Sequence, residues 1–510
     1  MFDSDEISKE FTCLLPEYQI LKQVGSGSYG IVVKALKKKT KQIVAIKKFI
    51  NLFRDIIDTK RILREIAILR KLSEHPHPNI ITIYDIVIPN ENTLDEIYMV
   101  TEYCEMDLKT FIYSNFTITS DYIKKITSDC LNGLLYLSKR GIVHRDIKPG
   151  NILLNTQPEL TAKLCDFGLA REMTLDFATV DLLNVFLSQL EEGKQCTEDG
   201  ISIELLKRGI EERNLSVDLQ VYVQKKLEEL SNEKLYHNHS KNKKASHYSS
   251  KQLSSIRTHS FIQDSLENEL GIFNYYDLYQ MFKKDDMKLR ANLTPHVITR
   301  WYRPPELLLM ESLYTYTVDI WSLGCVLGEM LLSSMHEKHP MFPGEYTYFQ
   351  SPKMENGNII MNYNEQLVVI LTALGSVDEK ELNFISRNDY KQFAYQVNNY
   401  AKTIVPVYKT KFDKCDQKLV NLLRGMLKFN PLDRIGIREA IEYLGITKNI
   451  NDKDYEPIVN IWEDNKTIWT FEKLRECFLL EYNEYKVKNL ITDMDMCCNI
   501  EEKASCDMTD

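Results

Sequence analysis

From Tyr18 onward the chain runs in short β-branched stretches of apolar and polar residues, and this pattern predicts a small sheet ahead of anything helical. Tyr18–Val24, Ile31–Ala35, Val44–Lys48, Ile80–Ile88 and Glu96–Tyr103 read as its strands. Between the third and fourth lies KRILREIAILRKL, where Ile62, Ile66 and Leu69 recur at helical spacing, so an amphipathic helix interrupts the sheet. Asp121–Arg140 reads as a second helix, and Ile152–Leu154 with Ala162–Leu164 as a hairpin. Leu219, Tyr222, Val223, Leu227 and Leu230 show helical spacing again, as does Leu182–Leu190.

Ser231–Ser260 breaks the pattern. It holds six Lys/Arg against one Glu, with eight Ser and four His. So few apolar residues cannot offset the entropy of ordering, so disorder is expected, with a basic localisation or docking tract as the alternative. Its histidines have no accompanying Cys or clustered carboxylates, which argues against a metal site.

At 510 residues the chain exceeds what one core usually supports, so two or three packed units are expected. An apolar fraction of 44% and a charged fraction of 27% are those of a globular protein, and a formal charge of −9 gives no whole-chain case for nucleic acid binding. Eleven cysteines without paired ligand spacing suit free thiols in a reducing compartment. MFDSDEISKE has no apolar core, so no secretory signal is expected, and no apolar run is long enough to span a membrane.

The candidate chemistry centres on His144–Asn151, HRDIKPGN. Asp146, Lys148 and Asn151 are the parts phosphoryl transfer needs: a carboxylate for the hydroxyl proton, an ammonium to balance phosphate charge and an amide to hold a metal. Upstream, GSGSYG carries Gly25, Gly27 and Gly30. A lone GxGxxG is weak, but here IVVKA continues it as a strand, giving a glycine hairpin able to lie over phosphates rather than the opening of a dinucleotide helix. VAIKK supplies Lys47, and Glu65 on the amphipathic helix is its expected mate. CDFGLAR supplies Asp166, a ligand for Mg²⁺ between nucleotide phosphates. Further on lie TPHVITRWYRPPE, VDIWSLGC and Arg434, with Glu306 and Arg434 expected as a buried ion pair.

These motifs, together with FRDIIDTKRILREI, MFPG, NPLDRI and the ending NDKDYEPIVNIW…FEKLRECFLLEY, resemble eukaryotic protein kinases, and among them the mitogen-activated protein kinases. The resemblance covers roughly residues 18–175 and 290–480 and implies an α+β bilobal fold: a small β-rich lobe with one key helix, and a large, mainly helical lobe. It implies Asp146 as base, Lys148 as phosphate stabiliser, Lys47 held by Glu65, and Asn151 and Asp166 on Mg²⁺. Around ATP it implies Val24, Gly25, Ser26, Gly27, Gly30, Val32 and Ala45, then Thr101 behind the adenine, Glu102 and Cys104 at the base edge, and Asp107 near the ribose. The acceptor implied is a protein Ser or Thr followed by Pro. Asp452, Asp454 and Glu456 match the family's docking patch for activators and substrates, with a solvated acidic face as the alternative. A monomer in the cytoplasm, shuttling to the nucleus, is the family expectation.

A switch is also implied. Thr294 aligns with the phosphorylated lip Thr, and Arg61, Arg64, Arg145 and Arg171 form its expected receiver. The family's Thr-x-Tyr is Thr294-Pro295-His296 here, so Arg300 and Arg303 lack their phosphotyrosine, and autophosphorylation or single-site activation becomes credible. Length is the other departure. Asp166 and Glu306 lie 140 positions apart, so an insertion near 178–290 divides the chain into tail (1–17), small lobe (18–101), catalytic part (102–177), insertion, remaining large lobe (291–447), C-terminal extension (448–490) and final tail (491–510). Because it interrupts the substrate-side segment, the insertion is expected to gate peptide access. A smaller insertion around Glu345–Asn362 reads as a plain surface loop. The rival readings are a cyclin-dependent-like kinase and, in a different class, a signalling scaffold with vestigial catalysis.

Overall fold

The computed structural model describes residues 9–27, 30–50, 52–172, 299–311, 314–350, 354–355, 358–359, 363–385, 387–445, 458 and 469–487. The insertion and the acidic cluster Asp452, Asp454 and Glu456 lie outside the described residues.

The β-branched runs form an antiparallel five-stranded sheet: β1 Tyr18–Gly27, β2 Gly30–Lys37, β3 Ile43–Ile50, β4 Ile83–Val87 and β5 Glu96–Glu102, in the order β1-β2-β3-β5-β4. Period two sorts its side chains. Val33, Ala35, Val44, Ile46, Tyr98 and Val100 all turn to one face and are fully buried. Their alternates, Val32, Ala45, Lys47, Met99 and Thr101, turn to the other, in register across β2, β3 and β5. Gly30 has φ +140°, and a Cβ there would lie 1.8 Å from the Lys48 carbonyl oxygen, so close strand approach alone demands glycine at this position.

Residues 9–17, expected as tail, send two side chains into the core. Phe11 and Leu14 are 0% and 2% exposed and close the face opposite Lys47. Lys48, the outward neighbour of Lys47, anchors them: its ammonium reaches the Glu10 carbonyl at 2.9 Å and Glu96 at 2.7 Å. Phe11→Ala should therefore lower stability by about 3–5 kcal/mol, read as a reduced urea midpoint. An unchanged midpoint would show that this segment does not hold the sheet.

Helix α1, Ile56–Leu72, starts at Asp55, whose carboxylate accepts from the amides of Ile57 and Asp58. Its far end is fixed by Arg70, which pairs with Glu481 at 2.6 Å on a helix over 471–487. Phe53, ahead of α1, packs edge-on against Phe471 and Phe478 of that helix. The large lobe is mainly helical, with α2 Leu108–Tyr113, α3 Ser120–Lys139 and α4 Thr317–Ser334, buried from Val318 to Ser333. The hairpin β8 Ile152–Asn155 and β9 Thr161–Leu164 lies against α3 and pairs with β6 Met106–Asp107. Among the described residues no helix is long and apolar enough to cross a membrane.

Of the stretch around Glu345–Asn362, expected as a plain surface loop, Glu345–Gln350 packs on the lobe, and the side chains of 351–362 lie outside the described residues. Tyr346 and Thr347 are 5% and 1% exposed, and Tyr348 and Phe349 pack on Tyr390 and Phe393 at ring separations of 4.1–5.1 Å. Half-buried Tyr348 and Phe349 against buried Tyr390 and Phe393 keep this segment on the lobe.

Candidate active site

Lys47 extends from the inner sheet face to Glu65 on α1, with its Nζ 2.8 Å from Oε2 and 2.9 Å from Oε1. Burial would lower the Lys47 pKa, but the carboxylates of Glu65 and Asp166 outweigh it and hold the ammonium above its usual value. Lys47 therefore stays charged at neutral pH, while one side of it remains open for another anion: its side chain is 22% exposed. Val32 and Ala45 flank it by strand register, Val32 opposite Lys47 and Ala45 opposite Thr101, which is 9% exposed at the back. Val24 is 43% exposed, and Gly25 pairs with Val32 where β1 and β2 slip register. Ser26 and Gly27 complete β1, and Gly27 pairs with Gly30 across the turn.

At the edge of the sheet, the Glu102 carboxylate accepts from the Thr82 amide and pairs with Lys163, both at 3.0 Å. Burial pushes the Cys104 thiol up to about 12, so it is protonated at neutral pH and inert as a nucleophile. Asp107 caps α2, accepting from the Thr110 amide at 2.6 Å, which leaves its second oxygen for other partners.

Across the cleft, β7 Ile142–Val143 leads into the HRD segment. The backbone there is held from below: Asp319 on α4 accepts from the His144 and Arg145 amides, both at 2.8 Å. Arg145 at φ +66° and Asp166 at φ +66° both sit in the left-handed region, which costs a non-glycine residue about 1–3 kcal/mol and persists only where surroundings dictate it. Asp146 is the most heavily contacted carboxylate of the site. Its Oδ2 accepts from Lys148 Nζ at 2.5 Å and Asn151 Nδ2 at 2.9 Å, and its Oδ1 from the Thr299 amide at 3.3 Å and Oγ1 at 3.2 Å. Thr299 also accepts from Lys148 Nζ at 3.2 Å. Sequence reasoning missed Thr299; its place inside TRWYRPPE is the only signal, and that motif does not reveal which carboxylate it caps.

Asp166 follows β9, and the Cys165 amide donates to the Asn151 carbonyl at 3.0 Å, tying the two candidate metal ligands together. Phe167 is fully buried against the His144 ring, 4.9 Å away, which fixes the turn carrying Asp166. The donor set fits Mg²⁺ used with a nucleotide. Asn151 spends its amide NH₂ on Asp146, which leaves the carbonyl oxygen as the hard donor beside the Asp166 carboxylate.

Of the proposed anion receiver, Arg64 donates to the Gly168 carbonyl at 2.7 Å, beside the Arg61 backbone. Arg61 itself pairs with Asp58 at 3.0 Å. Arg145 donates to Tyr314 Oη at 2.7 Å, and Arg171 pairs in register with Val143, next to the catalytic loop. Thr294 lies outside the described residues.

The chain matches the model of the protein kinase domain over residues 18–186 and 283–444, on both sides of the insertion. It is similar to mitogen-activated protein kinase 6 of Oryza sativa subsp. japonica, 27% identical over 459 residues, covering 89% of this chain and 84% of the relative. It is similar too to mitogen-activated protein kinase 13 of Arabidopsis thaliana, 26% identical over 469 residues, with 91% and 90% covered. Mitogen-activated protein kinase 4 of Arabidopsis thaliana is 28% identical over 437 residues, with 85% and 78% covered. Split by its insertion but matched on both flanks, the chain belongs to the protein kinase family, as a serine/threonine kinase similar to the mitogen-activated protein kinases.

Proposed function

We propose that this kinase transfers the γ-phosphoryl group of ATP to Ser or Thr hydroxyls followed by Pro in protein substrates. The observation that carries the reading is the Asp146 carboxylate gathered by Lys148, Asn151 and Thr299, together with the Lys47–Glu65 ion pair, on whose ammonium Asp166 also acts. Asp146 orients the acceptor hydroxyl and takes its proton as the new P–O bond forms. Lys148 balances the charge growing on the transferred group, and Lys47 fixes the α- and β-phosphates. Asn151 and Asp166 would hold Mg²⁺, which when bound neutralises the phosphate oxygens. Most of the rate gain then comes from positioning and charge rather than covalent chemistry.

The test uses paired peptides differing only in Ser-Pro against Ser-Ala, with Mg·ATP and the full chain. Transfer to the Pro peptide alone supports the reading; equal transfer to both removes Pro direction. Transfer to neither, with nucleotide bound, favours a scaffold.

Regulation follows from the same residues. Phosphate on Thr294 would draw Arg61, Arg64, Arg145 and Arg171 toward one anion and lock α1 to the catalytic loop. Thr294→Ala should then remove most of the activity of phosphorylated enzyme; unchanged turnover would end that proposal. Asp452, Asp454 and Glu456 are proposed to receive basic motifs of activators and substrates, in the cytoplasm and nucleus.

A further inference from the structure

The segment Thr299–Arg303 carries the threonine that caps Asp146, and its Arg300, Trp301 and Arg303 side chains are held by one neighbouring stretch. Arg300 Nη1 donates to the Glu345 carbonyl at 2.5 Å, and Trp301 Nε1 to the Gly344 carbonyl at 3.0 Å. Arg303 Nη1 donates to Gln350 Oε1, and Gln350 Nε2 donates onward to the Leu307 carbonyl at 2.6 Å. Arg303 is 9% exposed. Burial, and Arg300 beside it, push its guanidinium down to about 10, so fixed acceptors are what keep this charge in place.

The other side of the stretch is rigid. Tyr346 bridges to Glu365, whose buried carboxylate accepts from the Tyr348 amide at 3.1 Å while capping the helix Gln366–Leu374. Tyr348 stacks on Phe393 at 4.5 Å and 19°, and Phe349 meets Tyr390 at 4.1 Å. Glu345–Gln350 is thus a bracket with an aromatic foot on the helix Asn388–Ala401 and a polar hand on the peptide side of the active site.

We infer that Gln350 is a positioning residue for phosphoryl transfer: through Arg303 and the Leu307 carbonyl it pre-orders residues 299–307, the segment whose Thr299 caps Asp146. The inference rests on the kinase reading for its consequence in turnover, but not for its structural content.

The experiment compares the full chain with Gln350→Ala, Gln350→Glu and Arg303→Lys. In Gln350→Ala, amide exchange at Tyr302, Arg303, Leu307 and Leu308 should quicken by about tenfold or more, with no change in α1. Its KM for peptide should rise about tenfold while KM for ATP stays within about twofold. Gln350→Glu keeps an acceptor for Arg303 but loses the donor to the Leu307 carbonyl, so exchange should stay near wild type at Tyr302 and Arg303 and quicken only at Leu307 and Leu308. Arg303→Lys, which loses the planar fork, should reproduce the alanine effect in a background where Gln350 is intact. Unchanged exchange over 302–308 in Gln350→Ala would overturn the inference, as would an equal rise in both KM values. Wild-type protein that phosphorylates no peptide would count against the proposed function alone, because the exchange readout still decides the role of Gln350.

Discussion

Asp146→Asn should lower kcat for peptide phosphorylation by about 10²–10⁴-fold while leaving nucleotide affinity nearly unchanged. The structure explains why both halves are expected. Asp146 is 4% exposed and is contacted by donors only: Lys148, Asn151 and Thr299. An amide of the same shape keeps an oxygen for some of these, so the loop survives, but it cannot take a proton and no longer offsets the Lys148 charge. The nucleotide is expected to rest mainly on Lys47 and the sheet, across the cleft, and Asp146 makes no contact with either Lys47 or Glu65 among those described. The check is steady-state kinetics beside binding of a fluorescent nucleotide. A fall in affinity as large as the fall in kcat would mean that Asp146 organises the cleft rather than the chemistry.

Glu306→Ala should destabilise the large lobe by about 3–5 kcal/mol, because it strands a buried guanidinium. Arg434 meets Glu306 through two bonds of 2.6 Å, with side-chain exposures of 0% and 1%. Its other donors reach the Thr317 and Lys428 carbonyls at 3.0 Å, and its plane lies 5.0 Å from the Trp321 ring. Removing the carboxylate leaves the charge in place, without water and without its counter-ion. Replacing both partners, Glu306→Leu with Arg434→Met, should cost much less, since the desolvation penalty of both ions disappears with them. Urea unfolding of the three proteins decides it. A single variant as stable as the double would show that solvent relaxes into the site. Because Glu306 follows the Thr299–Arg303 segment, the single variant should also slow peptide transfer.

Much of the candidate site's local geometry was legible in the sequence. Period-two alternation in IVVKA and VAIKK put Val32, Ala45 and Lys47 on one face of the sheet and Val33, Val44 and Ile46 on the other. Helical spacing in KRILREIAILRKL placed Glu65 on one helix with Ile62, Ile66 and Leu69. HRDIKPGN holds Asp146, Lys148 and Asn151 so close along the chain that a short loop and a single 3₁₀ turn bring them together. In each case the relevant geometry is fixed by residues within a few positions of one another.

The tertiary structure alone decided the rest. Thr299 meets Asp146 across 153 positions, and Gln350 meets Arg303 across 47. Phe11 and Leu14 lie in a stretch read as N-terminal tail, yet they close the outer face of the sheet. Glu345–Gln350 looks like surface loop because its aromatic residues follow neither strand nor helix period; their partners, Tyr390 and Phe393, sit on a helix further along the chain. A side chain's chemistry limits what it can bond to but does not name the partner. The chain's path through space chooses among many equivalent donors and acceptors, and only packing, which rewards close fit between distant segments, fixes that path.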